Sequence, residues 1–279
     1  MKMHISRFIG AFFVALTLLC LGRDLNAADD PLATTQTLDA DLKELNDPTI
    51  LGRRISFEHE WNRFEDESNV FEDTLSGQWA WRLSANADWA VRLKLPVKYR
   101  LGGDLPDIGG LGDVKIATGA DARLSKTFRI GGGVDLAAPT GRSELSDNAW
   151  RIQEFVAFGW DIAPWLTFSP SFEYNQSLST EYDGDINFLE IFAPFTVTLP
   201  HKWAIGAGYE NKADFENDVD THRGKIFVAK ELEHVPLVFS LSAKRDFDGG
   251  PKEFQVNFVV SYFFRPKPPP PPVSSPYVK

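Results

Sequence analysis

Between Trp89 and Leu101 every second residue is apolar: Trp89, Val91, Leu93, Leu95, Val97, Tyr99 and Leu101. The interleaved set is Ala90, Arg92, Lys94, Pro96, Lys98 and Arg100. A period of two dictates a β-strand, and the two faces of this strand demand different surroundings. The oily neighbour is either a second sheet or lipid, and the rest of the chain has to decide which.

The alternation recurs along the chain. Phe254, Val256, Phe258, Val260, Tyr262 and Phe264 share one face near the end, with Gln255, Asn257 and Ser261 on the other. Ile55, Phe57 and Trp61 alternate with Ser56, Glu58 and Glu60, and Trp203, Ile205 and Tyr209 with Lys202 and Glu210. Trp150 to Ile162 alternates except that Glu154 falls on the apolar face, which suggests a bulge or a register error there. Twelve strands are predicted, near 52–64, 74–84, 88–101, 111–124, 127–139, 148–162, 165–176, 186–200, 202–211, 223–232, 235–246 and 252–264.

Their connections fall into two classes. Short ones (Ala85 to Ala87, Ser125-Lys126, Ala163-Pro164, Pro200-His201, Glu233-His234) alternate with longer, mostly acidic ones at 65–73, 102–110, 140–147, 177–185, 211–222 and 247–251. An outer-membrane barrel shows this pattern: an even strand count, long outer loops, tight periplasmic turns and both termini periplasmic. Rings gather at the strand ends (Trp61, Trp89, Tyr99, Trp150, Trp160, Trp165, Trp203, Tyr209), where a membrane–water interface would hold them. A soluble sandwich also alternates but has no systematic loop asymmetry. The expected fold is therefore all-β: a single transmembrane antiparallel up-and-down barrel of about 12 strands, in a bacterial outer membrane.

The ends read differently. Lys2, Arg7, the apolar run Phe8 to Leu21 and the small residues near Ala27 make residues 1–28 a secretory signal peptide. Cys20 lies inside it; Leu19 before it argues against a lipoprotein, and the mature chain would have no cysteine for a disulfide or a metal. The formal charge of −10 argues against nucleic acid as a partner. No later run approaches the ~18 apolar residues of a membrane helix. Residues 29–51 form a periplasmic segment in which Thr37, Leu38, Leu42 and Leu45 suggest a short helix; it either plugs the barrel mouth or is a loosely docked leader. Residues 52–264 are the barrel. Residues 265–279 contain five consecutive prolines and form a polyproline tail available for periplasmic contacts. The strand ending at Phe264 carries the signal for the barrel-assembly machinery, although such a strand normally ends the chain.

From Gly109 the chain reads GGLGDVKIATGADARLSKTFRIGGGVDLAAPTGRSE. Gly110-Leu-Gly-Asp113, a strand, a turn and a second strand closing in Pro139-Thr-Gly141 resemble the outer-membrane transporters of the "MetA-pathway of phenol degradation" family. That group is similar to the long-chain fatty-acid transporter superfamily. The resemblance implies a passive carrier of small, often hydrophobic or aromatic, molecules. The proline tail and a count below fourteen strands depart from the pattern.

The functional candidates are the charged residues assigned to the lumen: Glu58, Glu60, Arg82, Arg92, Lys94, Lys98, Arg100, Asp113, Lys115, Asp121, Arg123, Arg129, Asp135, Glu173 and Glu210. They form either a charged constriction that filters solutes or a salt-bridged network filling a narrow barrel. Gly110 to Asp113 lacks the third glycine of a dinucleotide fingerprint, and Arg142 stands where a Walker loop has Lys. His59 is assigned to the lipid face without a serine, His201 and His234 to turns, His222 to a loop; no catalytic residue, metal or cofactor is expected. The expected partners are outer-membrane lipid and a small-molecule solute. A structural or interaction barrel with a packed lumen is the alternative, and a membrane-embedded lipid hydrolase the remote one.

Overall fold

A computed structural model describes Leu45 and residues 47–103, 106–178, 185–248 and 252–264. The signal peptide, the helix led by Thr37 and the proline tail expected from the sequence lie outside these residues. The strands are β1 (Arg54–Phe64), β2 (Asn69–Ser84), β3 (Ala87–Leu101), β4 (Ile108–Leu111), β5 (Val114–Arg123), β6 (Phe128–Ala138), β7 (Arg151–Ala163), β8 (Leu166–Phe168), β9 (Ser171–Ser177), β10 (Asn187–Leu199), β11 (Trp203–Asp214), β12 (Val219–Glu231), β13 (Leu237–Asp248) and β14 (Lys252–Phe263).

Every pairing is antiparallel, and the sheet closes on itself where β14 pairs with β1. The fourteen segments make twelve barrel strands. β4 and β5 both pair with β3 and form one strand interrupted at Gly112-Asp113. β8 and β9 both lie between β7 and β10 and form another, interrupted where Pro170 withholds its N–H. Closure matters because an open edge in hydrocarbon leaves backbone groups unsatisfied.

The outward face is apolar. Leu93, Leu95, Tyr99 and Leu101 of β3 are each 42–45% exposed, and Leu111 and Ile226 reach 60% and 65%. Apolar exposure all round a closed sheet calls for lipid. Near the short turns Trp81 and Trp89 stack with ring centroids 5.0 Å apart, and Trp160, Trp165 and Trp203 lie close by their own turns.

The strands run past the ranges read from sequence, so the loop asymmetry is weaker than expected. The connection expected at 65–73 is only residues 65–68, and that expected at 211–222 is only 215–218. In the first, Glu67 takes φ 62°, and Ser68 donates its N–H (3.0 Å) and hydroxyl (2.5 Å) to Asp66. Those bonds, the hydroxyl first, hold the Asp66 carboxyl below its usual range. His222, expected in a loop, stands on β12, where its Nδ1 lies 2.5 Å from the Tyr209 hydroxyl and 3.3 Å from Asn211 Nδ2. The sequence signal fails there because strand ends beyond the hydrocarbon have no reason to alternate.

Candidate functional site

The inward face follows from the register. Glu58, Thr74 and Pro96 lie side by side across β1, β2 and β3, and Glu60, Glu72 and Lys98 form the next row. Lys94 faces Lys115 across β3 and β5, while Arg92, Ala117 and Asp135 align across β3, β5 and β6. The outward apolar set fixes these residues as inward.

One end of this face, the end of the short turns, is crossed by Leu45 and residues 47–53. Leu45 packs on an apolar floor made by Ala204, Ala229, Val238 and Phe263. Asp47 accepts a hydrogen bond from Arg129 Nη2 at 2.8 Å, and the same guanidinium donates to Asp161 at 2.7 Å. Arg129 and Asp47 are 7% and 3% exposed, so burial makes each depend on the other. Thr49 donates its hydroxyl to Asp47 (2.5 Å) and accepts from Arg129 Nε (3.3 Å). A Cβ on Gly159 would stand 2.5 Å from the Thr49 hydroxyl oxygen, so only glycine leaves room for the segment there. Further on, Leu51 donates its N–H to Asp121 (3.1 Å), Gln78 donates to the Gly52 carbonyl (3.0 Å) and Arg53 to the Ala80 carbonyl (2.9 Å). Polar groups from β2, β5 and β6 thus hold the segment, with Asp161 of β7 holding Arg129 in turn.

At the opposite end the connection between β6 and β7, residues 139–150, folds back onto β4 and β5. Asp113 is 4% exposed and accepts from the Ser146 hydroxyl (2.6 Å) and the N–H groups of Asp147 (2.9 Å) and Gly141 (3.2 Å). Thr140 donates its hydroxyl to the Gly112 carbonyl at 3.3 Å and accepts from the Val114 N–H at 3.0 Å. A Cβ on Gly141 would come within 2.9 Å of the Leu111 carbonyl. The two short motifs at 110–113 and 139–141 therefore clasp one another. Asp113 serves this clasp rather than a charged ladder.

The other residues assigned from sequence separate into groups. Arg82 lies at the rim of the short turns, where it meets Asp88 at 2.8 Å, and Arg123 is exposed at the same rim. Asp121 and Arg129 bind the 47–53 segment. Arg92 reaches Asp135 at 3.3 Å, and Lys98 reaches Glu72 at 3.5 Å. Glu173 accepts from Gln153 at 2.6 Å. Glu210 takes Arg223 at 2.9 Å and Lys244 at 2.6 Å, and Arg223 also holds Asp246 at 2.7 Å. Glu58 accepts from the Asn257 amide, and Glu60 from Asn62 at 2.6 Å. Lys94, Lys115 and Arg100 make no hydrogen bond or ion pair among the described residues.

A cavity of about 160 Å³ opens between these groups. Glu58, Glu60, Glu72 and Thr74 form its acidic side; Lys94, Lys115 and Pro96 form the other.

Periodicity gave no access to two further features. Phe188 and Phe192 of β10 face inward, under Lys212 (4.1 Å to the ring centroid) and Lys225 (5.0 Å). The inward face of β10 mixes these rings with Glu190, Thr196 and Thr198, so the rings carried no clean alternation signal. On the outside, His59 Nδ1 meets Asp73 at 2.7 Å. Its partner is a carboxylate, and the described residues pair no serine with a histidine.

No family model matches the chain, and no curated protein does. Solved structures do. An outer membrane channel from Pseudomonas putida F1 superposes with a TM-score of 0.68 at 15% identity, over 77% of this chain and 96% of that one. The NanC porin matches with a TM-score of 0.54 at 12% identity, covering 76% and 100%. The translocator domain of the autotransporter NalP from Neisseria meningitidis matches at 0.53 and 11%, covering 93% and 98%. Barrels of such different roles share the architecture, so the likeness concerns the fold. The chain is a closed, twelve-stranded antiparallel barrel with the fold of bacterial outer-membrane channels and porins.

Proposed function

We propose that this barrel sits in a bacterial outer membrane and passes small solutes passively through its lumen. The observation that carries this reading is the polar cavity on the inward face of β1, β2, β3 and β5, lined by charges that are not all paired. A barrel interior built only for stability would pair its buried cations. Nearby solved barrels bear the names channel and porin, which agrees with passage but names no solute for this chain. The sequence resemblance to the phenol-degradation transporters adds a finer expectation, small hydrophobic or aromatic cargo. The inward Phe188 and Phe192 rings would suit such molecules.

A second reading has its own support. The Glu210, Arg223, Lys244 and Asp246 network and the tethered segment are what a packed, structural barrel would contain. Conductance and uptake separate the two. The mature chain, refolded and inserted in a planar bilayer, is expected to show discrete conductance steps, and vesicles carrying it to take up small labelled solutes. A folded barrel that neither conducts nor admits any solute would support the structural reading.

A further inference from the structure

The cavity is not neutral ground. Its two sides carry opposite charges that stay apart. Among the described residues Lys94 and Lys115 form no ion pair, although Glu58 lies in electrostatic reach of Lys94 and Glu72 in reach of Lys115. Glu58 and Glu60 take hydrogen bonds from neutral amides, Asn257 and Asn62, rather than from cations. β1 and β3 flank β2, so their chains stand about 10 Å apart, two strand spacings of about 4.8 Å each. Arg92 and Asp135 bridge the same separation across β5 at 3.3 Å; at this chamber Lys94 and Lys115 leave it open. The gap is about ten times the roughly 10–15 Å³ that one water requires.

A simple anion in this space would meet Lys94 and Lys115 but also face Glu58 and Glu60. A simple cation would meet the reverse. A molecule with one charge of each sign satisfies both sides, provided its charges are a few bonds apart. We propose that this chamber is a binding site for small zwitterions of amino-acid size, with the carboxylate toward Lys94 and Lys115 and the ammonium toward Glu58 and Glu60. The site deepens the passage reading, on which its role as a way-station for solute rests. Binding itself does not depend on passage.

The test is isothermal titration calorimetry on the refolded mature barrel in detergent, with γ-aminobutyrate, butyrate and n-butylammonium as probes. The three share a four-carbon chain and differ in charge. γ-Aminobutyrate is expected to bind at least tenfold more tightly than either singly charged probe. Lys94→Gln and Glu58→Gln are each expected to weaken it at least tenfold, in barrels whose circular dichroism and heat-modifiable mobility match the parent. Equal binding of butyrate would make this an anion site and overturn the proposal; equal binding of butylammonium, or no binding of any probe, would overturn it too. Conductance from the same preparation keeps the two readings distinct. Conductance without zwitterion binding sinks the site alone. Binding without conductance or uptake sinks the passage reading and leaves the site standing.

Discussion

Glu154 stands on the outward face of β7, between Val134 of β6 and Tyr174 of β9. The alternation of Trp150 to Ile162 marked it as an anomaly, and a slipped register would have hidden it. Pairing through Glu154 is unbroken; the shift in β7 falls at Asp161–Ala163, beside the turn. One of its carboxylate oxygens is buried without a hydrogen-bond partner. A carboxylate on the lipid face costs less than a lysine or arginine there, but it still costs. Glu154→Leu should therefore raise the unfolding free energy by about 1–2 kcal/mol, measured by guanidinium titration in phospholipid vesicles. An unchanged midpoint would place Glu154 above the hydrocarbon. Arg129 has the opposite character, since it joins two carboxylates from different parts of the chain. Arg129→Met should cost about 3–5 kcal/mol in the same assay, because Asp47 and Asp161 lose their cation while still buried. Adding Asp47→Asn should recover part of that loss. Alternation assigns Arg129 to the inward face and Glu154 to the outward one. It could not find the Arg129 partner, because the pairing of residue 47 with residue 129 is set by where the N-terminal segment docks, and no periodicity records docking.

At the scale of elements, twelve strands were legible because lipid on one side and polar groups on the other leave a period-two trace over most of each strand. The trace fails where that contrast fails. Asp73 interrupts the outward pattern of β2, so residues 69–73 read as loop, whereas His59 on the neighbouring strand supplies its partner. The 139–150 connection shows a different limit. Its sequence announces a turn, but not that the turn folds back onto Asp113. That fact resides in contacts between the motifs at 110–113 and 139–141, twenty-eight residues apart in the Gly141–Asp113 bond. Asp113→Ala removes the acceptor for three donors and should free the loop. Limited proteolysis of the folded barrel is expected to cut near Arg142 at least tenfold faster in the variant, with circular dichroism unchanged. Equal cutting rates would mean that Thr140 and Gly141 hold the loop without Asp113.

If the barrel passes solute as proposed, the whole molecule poses one question that no single strand answers: whether solute leaves the lumen past the N-terminal segment or around it. The segment is bound at both sides of the mouth, by the Leu45 contacts on β11 to β14 and by the bonds of Asp47 and Thr49 to Arg129 on β6. If it is the gate, locking it should close the path. The expected mature chain has no cysteine, so an engineered pair would have no competitor. Thr49 and Gly131 are neighbours suited to the test: a Cβ built on Gly131 would lie 3.3 Å from Thr49 Cα, so the segment has only to give by a few tenths of an ångström to accommodate the new side chains. The Thr49→Cys, Gly131→Cys barrel should conduct at parental levels when reduced. Oxidation should lower conductance at least tenfold, and dithiothreitol should restore it in the same bilayer. A barrel that conducts equally well in both states would show that solute passes beside the tethered segment, and the gate would then have to be sought at the 139–150 loop.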